Sequence, residues 1–294
     1  MHGLLLLNKP TGITSNAALS RVKRLLKTKS AGFAGTLDPM ATGVLPIALG
    51  EATKCLPYIE DVDKEYTFTI KWGVETDTLD AEGKIMAENP HRPTENEIQN
   101  ILKNFTGEIT QIPPKFSAIK INGQRAYDLA RAGEKVEIKP RTITIHDLAL
   151  TAVIDPNHAA FRVTCSKGTY IRTLAADMAV SLGTLGHLTQ LCRSRVGKFT
   201  LSSTISLEKL LELPYEQATQ WVMPIRTMLD DIPALALDPG ALRRLRQGQF
   251  LNLAVTAASY PPGTHILVLD GEAAFGMAMI KEDKMLWPRR LFNL

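Results

Sequence analysis

The stretch "KEYTFTIKWGV" (residues 64–74) alternates large apolar side chains with polar ones along its length. Successive side chains of a β-strand point to opposite faces, so this alternation predicts a half-buried strand. Two other stretches alternate in the same way, "FRVTCS" (161–166) and "TITIHDLALTAVI" (142–154). The second changes phase near His146 and Asp147, which predicts a β-bulge. The chain is therefore expected to contain a sheet with one face turned to a core.

Helices are predicted on both sides of these strands. One begins near Ser15, a residue type that caps helix N-termini, and continues with apolar residues at helical spacing. Another follows Gly168 and ends at Gly183, because glycine commonly follows a last helical turn. Helices and strands are mixed without a regular βαβ rhythm. The sequence therefore predicts an α+β fold around a mainly antiparallel mixed sheet.

The chain has 294 residues, more than one hydrophobic core usually fills, so two domains are expected. The segment "DDIPALALDPG" (230–240) is rich in Asp, Pro and Gly, a composition typical of a junction. Beyond it, a short basic helix and the runs "THILVL" and "GMAMI" predict a small β-rich module. We therefore predict a first domain at residues 1–231 and a second at residues 232–294.

Composition excludes several classes of protein. With 45% hydrophobic and 22% charged residues, the chain is expected to be globular. Its first apolar run, residues 4–7, is too short for a signal peptide or a membrane span. The three cysteines and six histidines lack the spacing of metal or redox motifs. These features predict a cytoplasmic protein with no metal, no disulfide and no membrane contact, and a monomer is the default expectation.

Basic side chains concentrate in three segments although the net charge is only +4. They are residues 21–29, residues 112–141, and the group Arg193, Arg195 and Lys198. Any one of them alone could be an ordinary solvated face. Three such segments in one chain favour a polyanionic partner over a small acidic molecule.

The stretch "AGFAGTLDPMATGVL" (31–45) contains a single carboxylate, Asp38, among small uncharged residues. Asp-Pro is common in turns, so a purely structural role is one interpretation. The surrounding glycines allow close approach of another backbone, and a reactive carboxylate shielded from water needs a fixed cation to stay ionised. Arg172, in "CSKGTYIRT" at the start of a helix, is a candidate for that cation, although it could equally be a surface arginine.

Five blocks stand in order along the chain: "LLLLNKPTGITS" (4–15), "GFAGTLDPMATGVLPIALGEATK" (32–54), "DKEYTF" (63–68), "PPKFSAIKINGQRAYDLARAG" (113–133) and "CSKGTYIRTLAADM" (165–178). In this order and spacing they resemble the bacterial TruB family of tRNA pseudouridine synthases. The likeness runs from Leu4 to about Val196, and the segment beyond resembles that family's PUA-type RNA-binding module.

The resemblance implies an enzyme that isomerises uridine 55 in the T loop of tRNA to pseudouridine. It implies no cofactor, no metal and no obligatory protein partner. Asp38 matches the catalytic aspartate, Tyr66 the tyrosine that stacks on the target base, and Arg172 the arginine that pairs with the aspartate. Asp38 would act either as a covalent nucleophile or as a base and electrostatic stabiliser, and both routes stay open.

Other positions are implied by the same resemblance. Tyr170 and Leu191 match residues that line the uridine pocket, and Lys9 and Pro10 match a motif that supports the active-site loop. Residues 112–141 match an insertion that closes over the RNA. One position departs: Phe33 stands where the family usually has a histidine that helps to hold the RNA, and phenylalanine can stack but cannot donate a hydrogen bond.

Three other functions are compatible with parts of the sequence. A non-catalytic RNA-binding protein would use the basic segments, but it would not require Asp38, Tyr66 and Arg172 together. An aspartyl-phosphate phosphotransferase places its aspartate before Gly-Thr, the reverse of "GTLDP". A guide-RNA-dependent relative is disfavoured by the compact C-terminal module. Tyr66 also has a structural alternative, since it lies in phase with the core side chains of its strand.

Overall fold

A computed structural model of the chain describes residues 1–117, 120–121, 124–131, 138–252 and 260–294. In chain order its strands are β1 (Gly3–Lys9), β2 (Ala31–Phe33), β3 (Thr42–Leu49), β4 (Lys64–Trp72), β5 (Val74–Thr76), β6 (Ile85–Glu88), β7 (Gly107–Gln111), β8 (Lys120–Ile121), β9 (Gln124–Arg125), β10 (Arg141–Asp155), β11 (His158–Cys165), β12 (Gly186–Val196), β13 (Phe199–Thr200), β14 (Ile205–Ser206), β15 (Ala234–Ala236), β16 (Leu251–Asn252), β17 (His265–Asp270), β18 (Ala273–Ile280) and β19 (Met285–Leu291). The helices are α1 (Ser15–Leu25), α2 (Leu56–Glu60), α3 (Glu95–Leu102), α4 (Ala126–Arg131), α5 (Ile171–Ser181), α6 (Leu207–Glu212), α7 (Tyr215–Thr219) and α8 (Pro239–Arg246).

The larger sheet has the strand order β14-β1-β3-β12-β4-β11-β10-β7, with β2 beside β3 and β13 beside β12. Its strands pair antiparallel except at β1–β14 and β3–β12, which are parallel. The predicted α+β fold around a mainly antiparallel mixed sheet is confirmed. Strand β12 lies at the centre, between the strand that follows Asp38 and the strand that carries Tyr66.

Strand β4 forms where the alternating pattern predicts it. Phe68 and Trp72 are buried and pack on Phe161 of β11, with ring centroids 5.3 and 6.2 Å apart. The predicted bulge in β10 is also present, as a register shift between Ile145 and Asp147. These aromatic contacts and the antiparallel ladders position the sheet face that carries the site.

The two predicted helices are observed, one with a different cap. Helix α1 begins at Ser15, but Thr14 is its N-cap, because the Thr14 hydroxyl accepts the hydrogen bond from the N–H of Ala17. Ser15 was expected to cap, and its side chain is instead buried and turned towards the loop that carries Asp38. Helix α5 ends as predicted, with Gly183 at a φ of 70°.

The second sheet has the strand order β15-β17-β18-β19-β16 and includes the two runs predicted as strands. Helix α8 packs Leu242 and Leu245 against this sheet. A further apolar cluster joins the module to the larger sheet, since Leu267, Met277 and Phe292 pack together with Leu4 and Val44. The domain division at residues 231 and 232, and the PUA-like character of the module, stay predictions.

Among the described residues, no helix combines the length and the apolar character that crossing a membrane would require.

Candidate active site

Asp38 lies in the connection between β2 and β3, residues 34–41, which we call the Asp38 loop. The buried hydroxyl of Ser15 donates to the carbonyl of Leu37 and accepts from its N–H, both at 2.9 Å. On the other side of the acid, the N–H of Gly12 donates to the carbonyl of Pro39 at 2.8 Å. One backbone neighbour of Asp38 is therefore tied to the first residue of α1, and the other is tied to the segment between β1 and α1.

Lys9 adds a charged support beneath this loop. Its side chain is fully buried, and Nζ donates to the carbonyls of Pro10, Ile13 and Pro39 at 2.7, 2.8 and 3.2 Å. Burial lowers the pKa of Lys9 to about 8, and the nearby Asp38 carboxylate opposes that shift. Pro39 belongs to the Asp38 loop, so the bond from Lys9 to its carbonyl is the contact that a supporting role for Lys9 requires. Pro10, the next residue along the chain, is exposed.

Arg193 holds the other end of the Asp38 loop. It is 1% exposed, and Nε donates to the carbonyl of Val44 at 2.8 Å while Nη2 donates to that of Gly35 at 2.9 Å. Gly35 has a φ of 69°, and a Cβ on Gly43 would overlap the carbonyl oxygen of Arg193. We predicted that Arg193 belongs to a basic surface segment. This is wrong, because the side chain is buried and its guanidinium donates to backbone carbonyls.

Arg172, the second residue of α5, faces Asp38. Its Nη2 donates to Oδ1 of Asp38 at 3.2 Å, and its Nε lies 2.9 Å from Oδ2. The guanidinium also donates to the carbonyls of Thr78 and Phe116 at 2.9 and 2.8 Å, and Oδ2 of Asp80 lies 3.7 Å from Nη1. Arg172 is only 3% exposed. Four surrounding groups therefore fix the cation in a single position against the acid.

The Asp38 side chain is 33% exposed, so it is reachable from outside although protein surrounds it. Burial raises the pKa of Asp38 above its ordinary value, and the Asp80 carboxylate raises it further. The Arg172 guanidinium and Lys9 act in the opposite direction, but the net shift is upward. The charge of Asp38 at neutral pH therefore depends on the cations around it.

A cleft of about 550 Å³ opens in front of this ion pair. It is lined by Asp38, Tyr66, Tyr170, Arg172 and Leu191, which come from the Asp38 loop, β4, the start of α5 and β12. Small-molecule sites usually occupy several hundred cubic ångströms, so the cleft has room for an extruded nucleoside. We call it the main cleft.

Two tyrosines shape the main cleft. Tyr66 is partly buried, packs against the main core and also lines the cleft, and its stacking on a target base stays a prediction. Burial raises its pKa, which keeps the phenol neutral near pH 7. Tyr170 is fixed by Gln111, whose amide donates to the Tyr170 carbonyl at 3.0 Å and accepts from its N–H at 2.8 Å. The Arg141 guanidinium lies 5.1 Å from the Tyr170 ring centroid.

Phe33 does not lie with Tyr66, Tyr170 and Leu191, the other residues predicted to bind the substrate. It ends β2 opposite Ile47, packs against the main core, and is not one of the described residues that line the main cleft. Its role in holding RNA stays a prediction.

The predicted insertion, residues 112–141, is described only in part. Ser117 and Arg141, near its two ends, line the main cleft. Residues 118–119, 122–123 and 132–137, including Lys135, lie outside the described residues. The prediction that this basic segment closes over RNA is therefore untested in its central part.

Sequence reasoning missed three supporting residues. Ser15 was assigned to a helix cap and Arg193 to the surface, while Asp80 carried no signal in the sequence. Only Ser15 offered a hint, because its neighbour Thr14 is an equally good cap and leaves the serine free for another contact. Within the described residues, no three His, Cys, Asp or Glu side chains are grouped so that they could hold a metal ion.

Two solved structures share the fold of this chain over nearly its whole length. One is a chain of a structure titled "Structure of H/ACA RNP bound to a substrate RNA containing 2'-deoxyuridine", which is 21% identical with a TM-score of 0.74 over 99% of this chain and 85% of that one. Another is a chain of a Cbf5-Nop10-Gar1 complex, 24% identical with a TM-score of 0.72 over 95% of this chain and 78% of that one. At these identities the likeness shows a shared fold.

The family follows from the sequence comparisons. Residues 23–171 match the model described as "TruB family pseudouridylate synthase (N terminal domain)", and residues 172–234 match "tRNA pseudouridylate synthase B C-terminal domain". Proteins named tRNA pseudouridine synthase B are similar over the whole chain: 44% identical in Caulobacter vibrioides, with 97% of that protein covered, and 46% in Nitrobacter winogradskyi, with 83% covered. The chain belongs to the TruB family of pseudouridine synthases and is an isomerase, which confirms the resemblance seen in the sequence.

Proposed function

We propose that the chain converts uridine 55 in the T loop of tRNA to pseudouridine, by base flipping and Asp38-dependent cleavage and re-formation of the glycosidic bond. The observation that carries this proposal is the Asp38–Arg172 ion pair, with contacts of 2.9 and 3.2 Å, at the wall of a cleft lined by two tyrosines. The relatives named tRNA pseudouridine synthase B support tRNA as the substrate.

The reaction breaks the bond between N1 of uracil and C1′ of the ribose, turns the base, and joins C5 to C1′. The proton leaves C5 and N1 gains one, so no atom is lost and no redox partner is required. The base must first leave its stack, at a cost of roughly a few kcal/mol. Stacking on an aromatic ring such as Tyr66 is worth about 1–3 kcal/mol and offsets part of that cost.

Asp38 acts at the sugar or at the base in one of two ways. As a nucleophile it would form a covalent bond to the substrate, and as a base and stabiliser it would balance positive charge on the ribose. Both routes need an ionised carboxylate. In either case Arg172 is the group that keeps Asp38 charged when the substrate displaces water from the main cleft.

The proposal includes the organisation of the whole chain. Residues 1–231 carry the chemistry and residues 232–294 form a PUA-like module that binds RNA. The enzyme acts as a cytoplasmic monomer, without cofactor, metal or obligatory protein partner. Purified chain that modifies tRNA in the presence of a chelator, and that migrates as one copy in gel filtration, would support this part of the proposal.

The test is a turnover assay on unmodified tRNA transcripts with the position of pseudouridine mapped by chemical labelling. We expect labelling at position 55, none in a transcript with cytidine there, and none with Asp38→Asn, which still binds the tRNA. Asp147→Asn is a matched control, since Asp147 is an exposed carboxylate of β10 paired with Arg162 of the neighbouring strand β11. Full turnover by Asp38→Asn would remove the acid from the mechanism, and labelling at another position would overturn the assigned substrate site.

A further inference from the structure

A second, basic concavity lies between helix α2 and the second sheet. It has a volume of about 660 Å³ and is lined by Lys54 and Tyr58 from the first part of the chain and by His265, Arg289 and Arg290 from the C-terminal module. Asp61 supplies the one carboxylate among its described lining residues, and that group is already paired with Lys167 at 2.6 Å. We call this concavity the junction pocket.

The contacts that join the module to the first domain do not use the two arginines. The Tyr58 hydroxyl lies 2.9 Å from Nδ1 of His265, and Nζ of Lys54 donates to the carbonyl of Leu291 at 2.7 Å. Arg289 and Arg290 are exposed, and neither forms an ion pair or a side-chain hydrogen bond with any residue that the structure describes. Their charge is therefore available to a ligand.

Helix α2 connects the junction pocket to the main cleft. Tyr58 of α2 lines the pocket, and Glu60, two residues later, lines the main cleft. The Asp61–Lys167 pair spans the same border, because Asp61 lines the pocket and Lys167 lines the cleft. A helix rises about 1.5 Å per residue, so these two wall residues lie about 3 Å apart along the axis of α2, and the same short helix borders both concavities.

We propose that the junction pocket binds backbone phosphates of the RNA whose target base occupies the main cleft. This inference rests on the proposed function. Phosphates follow one another by about 3.4 Å of axis along one strand of a duplex, so a strand leaving the main cleft reaches the pocket within a few nucleotides. Two unpaired guanidinium groups are suited to phosphate, because one planar guanidinium can donate two parallel N–H bonds to two oxygens of the same phosphate. The pocket anchors the RNA to both domains at once.

The experiment compares two double variants that remove the same charge from the same module. The double variant Arg289→Ala with Arg290→Ala removes both arginines from the lining of the junction pocket. The control, Arg243→Ala with Lys284→Ala, removes two cations that do not line it. Binding of full-length tRNA transcript is measured across a range of salt concentrations, and single-turnover pseudouridine formation is measured at saturating tRNA. Thermal unfolding confirms that both variants fold.

We expect the pocket variant to bind tRNA about tenfold more weakly, with a salt slope smaller by about 1–2, because each lost phosphate contact removes close to one unit. Its single-turnover rate at saturation should equal that of wild type, and a phosphate ethylation interference signal seen with wild type should disappear. Equal losses in both variants, or an unchanged slope in the pocket variant, would overturn the proposal. Wild-type protein that binds tRNA but forms no pseudouridine would instead contradict the proposed function, so the two failures are distinguishable.

Discussion

Two buried arginines hold the Asp38 loop from opposite sides, and they differ in what they bind. Arg193 donates to backbone carbonyls, among them those of Val44 and Gly35, and these contacts fix the shape of the loop. Arg172 donates to two carbonyls as well, but it also meets the carboxylate of Asp38. A cation bound to carbonyls stabilises a backbone, whereas a cation bound to a carboxylate also decides whether that acid is charged. Arg193 therefore positions the Asp38 loop, whereas Arg172 also acts on the charge of the acid.

The largest effect that would test this comparison is expected from Arg172→Ala. Removing the guanidinium leaves Asp38 in a buried setting without its main counter-charge, so we expect a loss of about 10²–10³ in single-turnover rate, the scale of other preorganised electrostatic contacts. Affinity for tRNA should stay near that of wild type. Arg162→Ala, which removes an exposed arginine on β11, is the control and should react normally. A rate for Arg172→Ala within threefold of wild type would show that the ion pair is not required.

A change at Arg193 should act mainly on stability. Arg193→Leu leaves at least two buried carbonyls without their donor, at about 1–3 kcal/mol each. For a protein of this size, in which about 1 kcal/mol shifts the unfolding midpoint by about 2 °C, we expect the midpoint to fall by roughly 4–12 °C in differential scanning calorimetry. The rate of the remaining folded enzyme should fall less than in Arg172→Ala. An unchanged midpoint together with a lost reaction would break the comparison and place Arg193 in the chemistry through its contact with Tyr66.

The smallest effect concerns pH. Because the pKa of Asp38 is raised, the ionised form is lost as pH falls through a value above the usual carboxylate range, and the rate should fall with it. Asp80 contributes to that upward shift, so Asp80→Asn should move the acid limb of the kcat/KM profile to lower pH. The measurement is the rate on tRNA across the acid range, with Asp63→Asn as an exposed control. A limb that stays in place in Asp80→Asn would show that Asp38 is not the titrating group.

The sequence allowed the sheet and the Asp38–Arg172 pair to be predicted for different reasons. The alternation of apolar and polar residues at 64–74 predicts which side chains are buried, because successive side chains of a strand point to opposite faces of the sheet. The pair was found because an isolated acid and an arginine at a helix start were both unusual, and the family resemblance joined them. Ser15, Asp80 and Arg193 could not be predicted, since their roles depend on which backbone atoms the fold brings near them. A buried arginine that binds carbonyls looks, in a sequence, like any other arginine.

One contact of Arg172 limits how this protein could be re-engineered. The guanidinium donates to the carbonyl of Phe116, which stands near the start of the segment 112–141. Exchanging that segment for a shorter or longer one from a relative would move this acceptor. The position of Arg172 against Asp38 would then change, although no substituted side chain would enter the main cleft. A graft that alters RNA preference must therefore keep the backbone at residue 116 where it is, or the chimera will lose turnover together with its old specificity.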